Sequence, residues 1–384
     1  MTFKEMYQRF ENETNVCQFL QDCGMRFLLV RSLDKPDLKE IIMKYQGVEE
    51  ASNDFKVLTE HAYNLPCSDD DILQFIKSKK ECVLSARKAE IEGLDGILDV
   101  LPIVNCGVRN DKVDDIVKKF VRNKALKTKN ALYKNLDEIV LPTIRQYCLW
   151  SYFNQTSNDI IETLFLEHDS VVPTLRKIHD IDFFIKVGSK YMPFDLKITH
   201  VSEDYFELLS KGLSVGTDGD DFDVNETEVG EIGKIKAFYK ELKKTSRKSL
   251  PKMSELSKND LIKIIEQSKS EKCTAFINQI KNERKKMVLE TANNLKMLEW
   301  WNYKYQGERL FCNNNRIFLF LSYKNKFGDA RELKSEIKEL KKTVNTLMMN
   351  ISKNAVHDIK YVYEKDDRYN GPYSAKALST IYCK

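Results

Sequence analysis

Apolar and polar positions follow a helical period over most of this chain, and the places where the period changes to two are the informative ones. Helical spacing covers residues 37–45, 69–80 and 111–130, with apolar side chains three and four apart. Ser68 precedes Asp69, Asp70 and Asp71, the arrangement of a side-chain cap with acids in the first turn. A further helix is predicted over 150–165, with Ile160, Ile161, Leu164 and Phe165 on one face and Asn154, Asn158 and Glu162 on another. Residues 171–175 then read as a first strand or its irregular entry. Two apolar runs, 181–187 and 191–199, follow, joined by Gly188 and Ser189, which fit a type II′ hairpin turn. Later, 295–303 reads as a helix carrying Trp300 and Trp301. Adjacent residues cannot share a helix face, so one tryptophan is expected inside and the other at a surface or interface. Residues 316–323 form a β-prone run after the turn-forming Asn313, Asn314 and Asn315, 359–363 a terminal strand, and 369–384 a polar tail.

The hairpin carries the candidate chemistry. If Val187 pairs with Lys190, Asp182 falls opposite Asp195, and the period of two puts Lys197 on the face of Asp195. Directly opposed side chains have Cβ atoms about 5 Å apart, where like charges repel. Two carboxylates so placed in an apolar ribbon require a cation or a proton. Asp180, on the same face as Asp182, is a rival first acid, although the register sets it opposite Lys197. An acid-x-Lys triplet means little by itself in a chain with 31% charged residues. Asp37–Leu38–Lys39 repeats it at a proline-led helix start, and Glu332–Leu333–Lys334 and Glu339–Leu340–Lys341 sit in a heptad-patterned segment. Only Asp195–Leu196–Lys197 lies in a strand with a partner acid across a turn.

These residues resemble the PD-(D/E)XK nuclease superfamily, with Asp182 as the first acid and Asp195–Leu196–Lys197 as the triplet; Ile181 stands where the family name has Pro. The resemblance implies a restriction-endonuclease-like α+β or α/β core in αβββαβ order, with a mixed sheet flanked by helices. It implies Mg²⁺, with Mn²⁺ as a substitute, on Asp182, Asp195, the Leu196 carbonyl and Glu162 from the preceding helix, where Glu167 stands behind Glu162. Lys197 would orient the attacking water or neutralise the phosphorane. The activity expected is hydrolysis of double-stranded DNA by a type II restriction or other anti-phage endonuclease of a prokaryotic cytoplasm. A homodimer and a partner methyltransferase belong with that reading.

Composition alters this picture in three places. At 384 residues, with 42% hydrophobic content and mean hydropathy −0.47, the chain suits two or three globular domains. The expected division is a mainly helical domain over 1–145, the first part of the core over 146–210, a helical lysine-rich insertion over 211–294, and the second part of the core with a C-terminal helix and tail over 295–384. No apolar run approaches the ~20 residues of a membrane helix. Nine cysteines without a CxxC pair, and five scattered histidines, point to reduced thiols and away from a zinc site. His179 and His200 read as polar rim residues of the hairpin. The acidic stretch at 217–226 is no calcium loop, since Glu226 and Ile232 occupy the positions that need Gly and Glu. The net charge of +4 is clustered: Lys118, Lys119, Arg122, Lys124, Lys127 and Lys129, with Lys134 beyond, form a run without an acid that can neutralise backbone phosphates. Finally Leu333, Ile337, Leu340, Val344, Leu347 and Ile351 alternate four and three apart, the pattern of a short parallel coiled coil, although a helix packed on the sheet would show the same apolar stripe. From this stripe comes the alternative expectation of a scaffold, or of a non-catalytic nucleic-acid-binding protein that keeps the fold.

Overall fold

The alternation read in the hairpin extends into a six-stranded sheet. The computed structural model describes residues 1–12, 24–101, 110–178, 181–215, 222–223, 228–246, 249–305, 314–351, 356–364 and 370–384. His179, Asp180, residues 216–221, Arg247, Lys248, Gln306, Glu308 and Arg309 lie outside the described residues.

Among the described residues the chain opens with α1 (Phe3–Asn12), α2 (Met25–Arg31), α3 (Lys35–Gln46), α4 (Phe55–Tyr63) and α5 (Asp69–Ser78). The Ser68 cap forms as a capping box with Asp71. α6 (Lys80–Ile91), α7 (Leu94–Val100), α8 (Asn110–Arg122) and α9 (Lys129–Asn135) follow, and a π-helical turn at Leu136–Val140 leads into the long α10 (Leu141–Leu166). Next come β1 (Val171–Ile178), β2 (Ile181–Val187), β3 (Lys190–His200), α11 (Glu203–Ser210) and a two-stranded ribbon of β4 (Ser214–Val215) and β5 (Phe222–Asp223). Then follow α12 (Glu231–Thr245), α13 (Lys258–Gln267), α14 (Glu271–Asn293), α15 (Leu295–Lys304), β6 (Arg316–Ser322), α16 (Ile337–Met349), β7 (His357–Tyr363) and β8 (Gly371–Cys383). The sheet order is β1-β2-β3-β6-β8-β7. β3, β6 and β8 run parallel to one another, and the remaining pairs are antiparallel.

Each strand sends alternate side chains to two differently covered faces. Phe183, Ile185, Phe194, Ile317, Leu319 and Leu378 face α10 and α16, whose Ile161, Leu164, Phe165, Leu340, Val344 and Leu347 complete one core. The other face has two separate covers. Over β1 and β2, Val172 and Phe184 join the core made by α1–α5. Over β6, β8 and β7, Phe318, Phe320, Ala377 and Tyr361 pack against Tyr205, Val288 and Trp301 from α11, α14 and α15. Between those covers lie Asp182, Asp195, Lys197 and Arg316, the last against Tyr303 of the second core.

Two expectations change, and the two readings of the heptad stripe are decided. The stripe is the sheet-packing face of a helix rather than a coiled-coil seam, because Leu340, Val344 and Leu347 are buried on the sheet and α10. Leu340→Ala is therefore expected to cost about 2–5 kcal/mol in urea unfolding, as a core cavity does, without changing the oligomeric state. The polar tail is the strand β8, paired on both edges by β6 and β7. Its small residues Ala375, Ala377 and Ser379 lower its apolar signal while letting α15 approach closely. Trp300 and Trp301 are both buried, because α15 is sandwiched between the sheet and α11, with Trp301 edge-on to Tyr205 at 5.7 Å.

Helices α12–α14 have their own small core around Ile235, Tyr239, Ile262 and Ile277. Arg284, beside Lys285 and Lys286 in the lysine-rich segment, is fully buried at its attachment point. It donates to both Glu203 and Glu231, stacks 4.0 Å from the Phe206 ring centroid, and shares the carboxylates with Lys258. Burial alone would raise Glu203, but hydrogen bonds from Arg284 hold its carboxyl at about 2. Arg284→Ala would leave two carboxylates without their main partner. A loss of about 3–5 kcal/mol in denaturant unfolding is the expected result.

Candidate active site

The site begins with a turn. Val187 pairs with Lys190, and the register runs Lys186–Tyr191, Ile185–Met192, Phe184–Pro193 and Phe183–Phe194. Gly188 has φ +62° while Ser189 stays out of the positive-φ region, as a type II′ turn requires. The paired register ends at Phe183–Phe194. Beyond it, the Leu196 N–H donates to Asp182 Oδ2 at 2.7 Å, so a side-chain carboxylate takes the acceptor role a ladder carbonyl would fill. On the other side of β2, β1 bulges. Pro173 pairs with Phe183 and Ile178 with Ile181, leaving residues 174–177 opposite Asp182 alone. Asp182 therefore sits where the strands on both sides part from β2.

Asp195 is fixed from β6. Its N–H donates to the Asn315 carbonyl at 2.9 Å, and its Oδ2 accepts from Arg316 Nε at 3.3 Å. Arg316 is 2% exposed and lies over the Tyr303 ring at 5.1 Å. Asn315 also donates to the Pro193 carbonyl at 3.2 Å and accepts from the Lys376 N–H at 3.0 Å, while Tyr303 Oη donates to the Asn314 carbonyl at 2.5 Å. The asparagine turn thus binds β3, β8 and α15 together and aims Arg316 at Asp195.

The electrostatics follow from this geometry. Burial, then the Asp195 charge, push the Asp182 carboxyl up to about 7, against the lowering effect of the Leu196 N–H; Glu162 adds to the rise and Arg87 opposes it. Lys197 is pushed below the ordinary lysine value by burial and by Arg316, with Asp195 acting the other way. A carboxyl pushed up beside a lysine pushed down is an arrangement functional sites favour.

Glu162 is close enough to act on Asp182, but its own carboxylate is ion-paired to Arg87 from α6. Glu167 is held by Lys88 at 3.1 Å and Lys341 at 2.9 Å. Asn154 and Asn158 do share a face, and both accept from the buried Lys334 at 2.8 Å. Among the described residues, no three His, Cys, Asp or Glu side chains converge on one point. His200 stands 3.6 Å from Asp329 and is pushed down by burial. Sequence reading missed Arg87 and Arg316, since arginines distant in sequence carry no motif; Arg316 alone had a signal, as a charge at the head of an otherwise apolar strand.

Two carboxylates, one with no cation paired to it among the described residues, are a hard-oxygen donor set of the kind Mg²⁺ uses while keeping water ligands. The residues fit such an ion with two side-chain ligands rather than three. The basic run stays exposed on α8 and α9, with Lys119 paired to Asp115 at 2.6 Å. These helices pack on the π-helical turn that opens α10. At 1.5 Å per residue, Glu162 lies about 30 Å further along that helix. A cavity of about 470 Å³ lies elsewhere, lined by Leu98, Phe153, Glu332 and Glu336 among others, and both glutamates are already paired, to Lys326 and Lys384.

No helix of the described residues is long and apolar enough to cross a membrane. Comparison with protein-family models, curated proteins and solved structures finds no match.

Proposed function

We propose that this protein is a metal-dependent endonuclease of the PD-(D/E)XK type acting on DNA. The observation that carries the reading is the meeting of Asp182, Asp195 and Lys197 where β2 and β3 part, with the Asp182 carboxyl raised by burial and by its neighbour's charge. The element order supports it: α10, three antiparallel strands, then β6 added parallel to β3 after intervening helices.

Asp182 and Asp195 would hold Mg²⁺, with the Leu196 carbonyl on the same cleft. The bound ion supplies a water of lowered pKa and neutralises charge on the scissile phosphate. Lys197 holds the attacking water or meets the charge growing on the phosphorane. Arg316 sets the rotamer of Asp195, and Arg87 does so for Glu162. Restriction or another anti-phage role, with a homodimer addressing both strands, is the finer form of the proposal. Incubating the protein with duplex DNA, single-stranded DNA and RNA, with Mg²⁺ or with EDTA, tests it. Mg²⁺-dependent discrete fragments support restriction, a smear supports nuclease activity without sequence choice, and no cleavage of any substrate defeats the reading.

A second reading has its own observation. Asp195 and Glu162 are each countered by an arginine, as in a protein that keeps the fold to bind nucleic acid without cutting it. It predicts DNA affinity without cleavage.

A further inference from the structure

We propose that Arg31 and Arg176, with Lys56 beside them, form the seat for a backbone phosphate of the nucleic-acid strand entering the Asp182–Asp195 cleft. This rests on the nuclease reading and adds a substrate contact to it.

The two arginines come from distant parts of the chain and are brought together by one backbone bond. The Arg176 N–H donates to the Ser32 carbonyl at 2.7 Å, which joins the end of α2 to the middle of β1. Arg31 lies over three rings, with its guanidinium carbon 5.3 Å from the centroids of Tyr7 and Phe10 and 5.7 Å from that of Phe27. Lys56 Nζ is 4.9 Å from the same Tyr7 ring, and Arg176 lies 4.0 Å from the Phe55 centroid.

What this cluster lacks among the described residues is an anion. Arg26, Arg87, Arg284, Arg316 and Arg331 each hold a carboxylate. Among the described residues, no carboxylate lies within ion-pair distance of Arg31, Arg176 or Lys56, and the buried Nε of Arg31 has no hydrogen-bond partner. The charge acting on Arg176 is another cation, Arg31, which together with burial pushes its guanidinium below the ordinary value. Cation–π contact, worth about 0.5–2 kcal/mol, accounts for where the Arg31 side chain rests. It gives no reason to set two guanidinium groups against each other.

An incoming phosphate does give one. A guanidinium fork matches phosphate oxygens, and two of them would share one phosphodiester charge. The position is also apt: Arg176 belongs to the four-residue bulge of β1 that lies opposite Asp182, so the seat and the first acid lie on neighbouring strands. The exposed basic run on α8 and α9 has no such relation to the acids.

Binding of a fluorescent duplex DNA in EDTA, followed by anisotropy over a salt series, separates binding from cleavage. Arg31→Gln and Arg176→Gln are each expected to weaken binding about tenfold near 0.1 M salt and to reduce the log–log salt slope by about 1. Arg176→Lys keeps the charge and loses the fork, so it should retain the slope and lose affinity several-fold; it also serves where a glutamine variant fails to melt cooperatively. Wild-type affinity and slope in Arg176→Gln, from a protein that cleaves DNA, would overturn the phosphate seat and leave the nuclease reading standing. A wild type without nucleic-acid affinity or cleavage overturns both.

Discussion

Asp195→Asn is expected to lower Mg²⁺-dependent DNA cleavage by at least about a thousandfold, the scale on which a single charge-stabilising group acts in phosphoryl chemistry. Asparagine is the informative replacement because of Arg316. Asp195 Oδ2 is the acceptor for a guanidinium that is 2% exposed, and alanine would leave that cation buried without it. An asparagine oxygen can still accept from Arg316 Nε while the charge that would hold a metal ion is gone. Lys197→Met should fall in the same range, with stem packing kept and the charge lost. Because the groups act as one unit, the double variant should be scarcely worse than either single one. Single-turnover cleavage, with circular dichroism melting to establish that each variant is folded, provides the measurement. Cleavage within a few-fold of wild type by both variants would place the reaction elsewhere or remove it.

The second large effect is on stability. In EDTA, the advantage of Asp182→Asn over the wild type should grow by about 2–3 kcal/mol between about pH 4 and about pH 8, after allowance for the partial solvent contact of the group. The direction comes from proton counting. The Asp182 carboxyl titrates at about 7 in the folded protein, and at an ordinary aspartate value near 3.8 once unfolded. Between those values the native state binds the extra proton, so native stability falls as pH rises through that window and levels off above it. Asparagine carries no such charge, and its oxygen can still accept from the Leu196 N–H. Urea unfolding at a series of pH values gives the gap directly. A gap that stays flat, or that shrinks as pH rises, would mean that Asp182 is ionised at little cost and that the acid pair is not the strained element of the cleft.

Local pattern determined a good deal of this molecule. The change from helical spacing to a period of two marked the strands, and Gly188 with Ser189 marked the turn. Together they set the register that puts Asp182, Asp195 and Lys197 on one face. These features depend on neighbours within about twenty residues, so they are legible in one dimension. Tertiary structure decided the rest. Only the parallel addition of β6 brings Arg316 onto Asp195, and only the packing of α6 against α10 gives Glu162 its arginine. The stripe of Leu340, Val344 and Leu347 fitted a coiled-coil seam and a sheet-packed helix alike, and only the fold chose the sheet, because an apolar stripe records that a helix face is buried and not by what. β8 escaped notice for the complementary reason. A strand hydrogen-bonded on both edges and pressed by α15 can be built of alanine, serine and tyrosine, whose burial comes from position rather than from hydrophobicity.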